Sequence, residues 1–184
     1  MMGLYYDIRN VIINNFFKAL IITIPMYLLF IIINKKVLKK VYFKKYMYIV
    51  EFSFIGYLSS VLILTEALST NLFNVSMRIT PNLIPLITNL NDLLQYPTSV
   101  LPQIVLNMIL FVPFGFILMI FSIKEPKAIK ILTYSFIFSS LIEFIQYFSG
   151  RYSDVDDIIW NVLGTLLGII IYKFSQKIIV YIKK

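Results

Sequence analysis

Cysteine and histidine are both absent from the 184 residues. That absence excludes disulfides, thiol nucleophiles, imidazole-based zinc sites and Ser-His-Asp triads within the chain. Charge is also scarce: only 14% of residues are Asp, Glu, Lys or Arg, against about a quarter in an ordinary soluble domain. A water-soluble globule is therefore not expected. What is abundant is apolar surface, with 59% hydrophobic residues and a mean hydropathy of +0.84. Long uncharged runs separated by lysine clusters describe a polytopic helical membrane protein, a single integral domain over residues 1–184 with lipid as its main solvent. The formal charge of +8 does not indicate nucleic acid, because the lysines sit between apolar spans and not on a basic face. Any chemistry must use carboxylates, amides, hydroxyls, Lys or Arg, and no cofactor is expected.

The segment Met1 to Asn10 has no cationic start and no cleavage-like site, so no signal peptide is predicted. A first span is expected at about Val11 to Ile33, with Lys18 snorkelling and a kink at Pro25. Lys35, Lys36, Lys39, Lys40, Lys44 and Lys45 follow without an acid between them, which marks an inside loop. The second span runs from about Tyr46 to Leu64, bounded by Glu51 and Glu66. Residues Ala67 to Pro102 carry Arg78, Pro81, Pro85, Pro97 and Pro102, too many breakers for a straight span, and read as interfacial or re-entrant. A third span at about Gln103 to Ile123 leads to an inside loop with Lys124, Glu125, Lys127 and Lys130. The fourth covers about Ile131 to Phe148, and the fifth starts near Ile158 after an outer turn at Gly150 to Asp157. Thirteen of the seventeen basic residues fall in the loops assigned inside, and Arg9, Arg78 and Arg151 fall outside. The expected architecture is thus all-α, with about five transmembrane helices, the N-terminus out and the C-terminus in.

On that topology, Asn107, Glu143, Gln146 and Asn161 come from three helices at similar depth, below a turn with Arg151, Asp154, Asp156 and Asp157. An ionisable residue within a span is costly and marks a candidate site, here with Arg151 as the expected partner of Glu143. Gly150 is expected to end the fourth span in a left-handed conformation and bring Arg151 over the helix end. Asp154, Asp157, Asn161, Gly164 and Gly168 share one helical stripe, from which Asp156 departs. Gly164 and Gly168 allow close backbone approach, and the fourth span is the expected neighbour. A structural account of the same residues stays open: Ser153 or Asp154 caps the helix, Asp156 and Asp157 favour its N-terminus, and the asparagines join helices.

The residues in order are Asn82 and Pro85; Asn107, Pro113 and Gly115; E-x-x-Q from Glu143 to Gln146; R-x-x-D-x-D-D from Arg151 to Asp157; and N-x-x-G-x-x-x-G from Asn161 to Gly168. This series, over about residues 82–172, resembles the VanZ-like membrane protein family. The resemblance implies a multi-pass protein of the cell membrane in a Gram-positive-type envelope, some of whose relatives are associated with resistance to the glycopeptide teicoplanin. It assigns no catalytic residue and no metal. The binding candidates are Asn107, Glu143, Gln146, Arg151, Asp154, Asp157 and Asn161; Asn82, Pro85, Pro113, Gly115, Gly164 and Gly168 are structural candidates. The leading expectation is a site on the extracellular side for a membrane lipid, a lipid-linked cell-wall precursor or a lipoglycopeptide. The alternative is a membrane enzyme acting on a lipid-linked substrate, with Glu143 as acid or base and a hard cation on Asp154 and Asp157.

Overall fold

The computed structural model describes residues 2–36, 46–65, 80–121, 127–149 and 151–182. Lys39 to Lys45, Glu66, Arg78, Lys124, Glu125, Gly150, Lys183 and Lys184 lie outside the described residues, so the loops and the glycine on which the topology reading leaned are not among them. The described chain is helical: α1 (Met2–Lys36), α2 (Tyr46–Leu64), α3 (Ile87–Gln95), α4 (Pro97–Phe121), α5 (Ala128–Phe148) and α6 (Val155–Ile182). Five of these, all but α3, are long and apolar enough to cross a membrane. In lipid a helix satisfies its backbone internally, and this is why each apolar run takes that form. Exposed Ile21, Leu28, Ile49, Leu106, Ile137 and Phe174 are ordinary on such helices, whose solvent is hydrocarbon.

The chain divides into two compact units, Met1–Ser69 and Thr70–Lys184. In the first, α1 runs unbroken through Pro25 and pairs with α2. Tyr27 donates its hydroxyl hydrogen to the Tyr48 carbonyl at 3.0 Å and sets its ring edge-on to Phe52.

In the second unit α6 packs chiefly on α4 and also on α5. Between helices in lipid there is little hydrophobic driving force, so close packing and polar contacts must hold them. At one end Met119, Ile131 and Ile169 form a small apolar core, flanked by Leu118, Leu132 and Tyr172. Midway, the Phe114 and Phe138 rings stack at 5.5 Å between α4 and α5. The other end is polar. There the N-termini of α4 and α6 and the C-terminus of α5 meet the segment before α3, which forms a parallel bridge from Asn82 to Asp154.

Four helices start earlier than the sequence expectation, α1 at Met2 and α5 at Ala128 among them, and the shifts of α4 and α6 share one reason. Pro97 was read as a breaker, yet it opens α4, where its missing N–H would be unpaired in any case. Asp154 starts α6 three residues earlier than Ile158 because it acts as the N-cap.

Candidate functional site

Asp154 is the hinge of the polar end. Its Oδ1 accepts the N–H of Asp156 at 2.9 Å, the bond of an N-cap, and Asp156 and Asp157 in the first turn complement the positive helix end. The same oxygen accepts from Asn82 Nδ2 at 2.9 Å, while the Asp154 backbone N–H donates to Glu143 Oε2 at 2.9 Å. One residue thus joins α6, α5 and the strand-like segment at Asn82.

That segment is fastened along its length. Asn82 N–H donates to the Ser153 carbonyl at 2.9 Å, and Val155 N–H donates to the Asn82 carbonyl at 3.1 Å. Asn82 Oδ1 accepts the Ile84 N–H at 3.1 Å, an Asx turn. Leu86 then takes a φ of 66°, the left-handed region a leucine seldom adopts. Its N–H donates to Asp156 Oδ1 at 2.7 Å. Asp156 is fully buried, and this bond explains why a residue off the helical stripe is inside.

On the α4 side, Asn107 Nδ2 donates to Asp157 Oδ1 at 2.6 Å, and the Arg151 charge also acts on Asp157. On the α5 side a column of small polar residues continues inward. Asn161 Nδ2 donates to Ser139 Oγ at 2.8 Å, and one turn further Ser135 and Thr165 share a hydroxyl hydrogen bond of 2.7 Å. Ser135, Ser139, Ser153, Thr165 and Asp156 were not picked out from the sequence as site members. The i, i+4, i+8 spacing of Ser135, Ser139 and Glu143 was the available signal.

The glycines correct one assignment. A Cβ on Gly164 would strike the Met108 carbonyl, one on Gly168 would strike the Val112 carbonyl and come within 2.9 Å of Phe116 N, and one on Gly115 would strike the Thr165 carbonyl. The smooth face of α6 therefore meets α4, the third span, and not the fourth span that the sequence reading nominated. A short turn makes α5 adjacent to α6, but it does not make α5 the helix of closest approach; the glycine that answers Gly164 and Gly168 is Gly115 on α4.

Of the binding candidates, Glu143 and Asp154 meet directly, Asn107 and Asp157 meet directly, and Asn161 lies one turn inward on Ser139. Glu143 is 6% exposed and so faces the helix interior, not lipid. Its carboxylate is held by the Asp154 N–H, with the Ser153 side chain as a further hydrogen-bond partner. The Arg151 charge acts on Asp157, and its backbone N–H closes α5 on the Gln146 carbonyl at 3.1 Å. That is the long bond of a Schellman ending. Gln146 is buried beside it.

Burial pushes the Asp154 carboxyl above its ordinary value, with the nearby charges of Asp156 and Asp92 adding to the rise, while the Asp156 N–H and the Asn82 amide oppose it. Among the described residues no three acidic side chains are grouped to hold a metal ion. Oδ1 of Asp154 accepts from the Asn82 amide and the Asp156 N–H, and Oδ1 of Asp157 accepts from the Asn107 amide. The arrangement is a hydrogen-bonded carboxylate cluster with one guanidinium, at the end of a helical bundle whose flanks are apolar.

A family model described as VanZ/LLP1 matches residues 47–179. No curated protein and no solved structure matches the chain.

Proposed function

The chain belongs to the VanZ/LLP1 family, and from that premise we propose that it is a cell-envelope membrane protein that binds a lipid-linked or amphipathic ligand at the outer leaflet and lowers susceptibility to teicoplanin. The observation that carries the reading is the polar end of the second unit. Glu143, Asp154, Asp156 and Asp157 stand there against one Arg151, at the mouth of helices whose outer faces are apolar. Carboxylates at that depth are expensive for a membrane protein to keep and are a functional signal by default. The cluster suits a head group that is cationic or rich in hydrogen-bond donors, and the flanks of α4 and α5 suit an acyl tail.

Expression in a susceptible Gram-positive host tests it. The inhibitory concentration of lipid-tailed teicoplanin should rise more than that of vancomycin; an equal rise, or none, overturns the proposal. Glu143→Gln keeps an oxygen to accept the Asp154 N–H and removes only the charge, so it should abolish protection at normal protein level. Arg151→Ala should do the same. A fully protective Glu143→Gln would reject a role for the carboxylate.

A further inference from the structure

We propose that α3 is a membrane-surface helix, lying in the boundary between head groups and acyl chains at the polar end of the α4–α6 bundle, with lipid as the occupant of its apolar face. The sequence of α3 places Ile87, Leu90, Leu93 and Leu94 at helical spacing i, i+3, i+6 and i+7 on one side, and Thr88, Asp92 and Gln95 around the other. At nine residues it is too short to cross a bilayer.

Three observations fix which way it faces. Asp92 on the polar side is near enough for its charge to act on Asp154 and Tyr152, so that side looks toward the carboxylate cluster. Leu94 is two residues on, roughly 200° around the helix, and it is 83% exposed. The apolar surface then continues without a break in chain into α4, through exposed Tyr96, Leu101, Val105 and Ile109, onto a helix long and apolar enough to cross the membrane. A tyrosine at that junction suits the head-group level.

The start of α3 is set by the bundle, not by the helix. Leu86 in its left-handed conformation turns the chain, and Asp156 holds that turn through the Leu86 N–H. The exit angle of α3 is therefore tied to the first turn of α6. The helix has one acid and no base, so its docking comes from apolar burial and does not call on anionic lipid. This inference stands whether or not the polar cluster binds a ligand.

The absence of cysteine lets single sites be labelled on the full chain. Leu94→Cys and Gln95→Cys, each bearing a nitroxide and reconstituted in phosphatidylcholine vesicles, are compared for collision with molecular oxygen, which partitions into lipid, and with a water-soluble nickel chelate. Both positions are exposed, so neither exchange removes a buried contact. Position 94 should favour oxygen and position 95 the chelate, with added phosphatidylglycerol altering either ratio by less than about twofold. The proposal is overturned by a label at 94 that is as open to the chelate as that at 95. Protection that appears only with anionic lipid overturns it too, as does spin–spin broadening in dilute vesicles, which would put a second copy on the helix. A depth well beyond about 10 Å below the head groups would make the segment re-entrant and reject the surface position.

Discussion

The two units are built from similar apolar helices and hold them together differently. In Met1–Ser69 the described hydroxyls mostly turn back on their own helix: Thr23 donates to the Ala19 carbonyl, Ser60 to Gly56 and Thr65 to Val61, while Ser59 bonds Ile55 and also faces Met26 Sδ at 3.9 Å. A bond within one helix specifies little about the neighbouring helix. In Thr70–Lys184 the polar side chains reach across: Asn82 to Asp154, Asn107 to Asp157, Asn161 to Ser139 and Ser135 to Thr165. The glycines divide the same way. A Cβ on Gly56 would meet Thr23 at an ordinary 3.6 Å, whereas on Gly115, Gly164 or Gly168 it would run into the facing backbone. Where hydrophobicity cannot choose a neighbour, close backbone approach and buried polar pairs do so.

The largest test of that contrast is a pair of identical substitutions. Gly164→Ala should destabilise the second unit by about 3 kcal/mol or more, because helix backbones, unlike flexible side-chain ends, cannot yield without moving α4 away. Gly56→Ala should be neutral or stabilising by up to about 1 kcal/mol, from the better helix propensity of alanine. Thermal unfolding in detergent, followed by circular dichroism, reads both. Equal shifts for the two would break the comparison.

A smaller difference separates the polar bonds. Asn107→Ala removes the amide from the Asp157 carboxylate and should cost about 1.5–3 kcal/mol, the range for a hydrogen bond to a charged group. Ser60→Ala removes a hydroxyl whose only described bond, 2.9 Å to the Gly56 carbonyl, lies within its own helix, and should cost less than about 0.5 kcal/mol. Denaturant titration of the two variants against the parent is the check, and a Ser60→Ala loss as large as that of Asn107→Ala would mean that α2 uses its hydroxyls between helices after all.

The sequence made the spans legible because hydropathy and length suffice for them: Tyr46 to Leu64 coincides with α2, and the starts of α4 and α6 move earlier where Pro97 and Asp154 act as helix starters. It also pointed to the residues of the polar end, since carboxylates and amides inside apolar runs stand out. What it did not yield was pairing. Helical periodicity says which residues share a face, but not which helix that face meets, so Gly164 and Gly168 were assigned to α5 when Gly115 on α4 was their counterpart. Asp156 lies off the helical stripe, and periodicity carries no sign of the loop whose Leu86 N–H it receives. Leu86 itself carries no sign of a left-handed conformation. The nine residues of α3 disappeared among the prolines on either side of them.

The smallest effect concerns pH, and it localises to the Asn82–Asp154 clasp. Burial and like charges raise the folded-state pKa of Asp154 above its ordinary value, so the folded protein holds that proton more tightly than the unfolded chain does. The group's contribution to stability is then greatest below the ordinary carboxylate range, falls as pH rises from the ordinary value to the raised one, and is level above it. The hydroxyls that bond within α1 and α2 do not ionise in this range and supply no such slope. Because Asp154 is only partly buried, the change should be small and local, and amide hydrogen exchange at Asn82 and Leu86 is a better readout than global unfolding. Exchange protection there should weaken modestly across that interval. Asp154→Asn keeps a side-chain oxygen for both the Asp156 N–H and the Asn82 amide while removing the titrating charge, so it should flatten the slope and leave neutral-pH protection equal to or slightly above the parent's. An undiminished slope in Asp154→Asn would place the titrating group elsewhere in the carboxylate cluster.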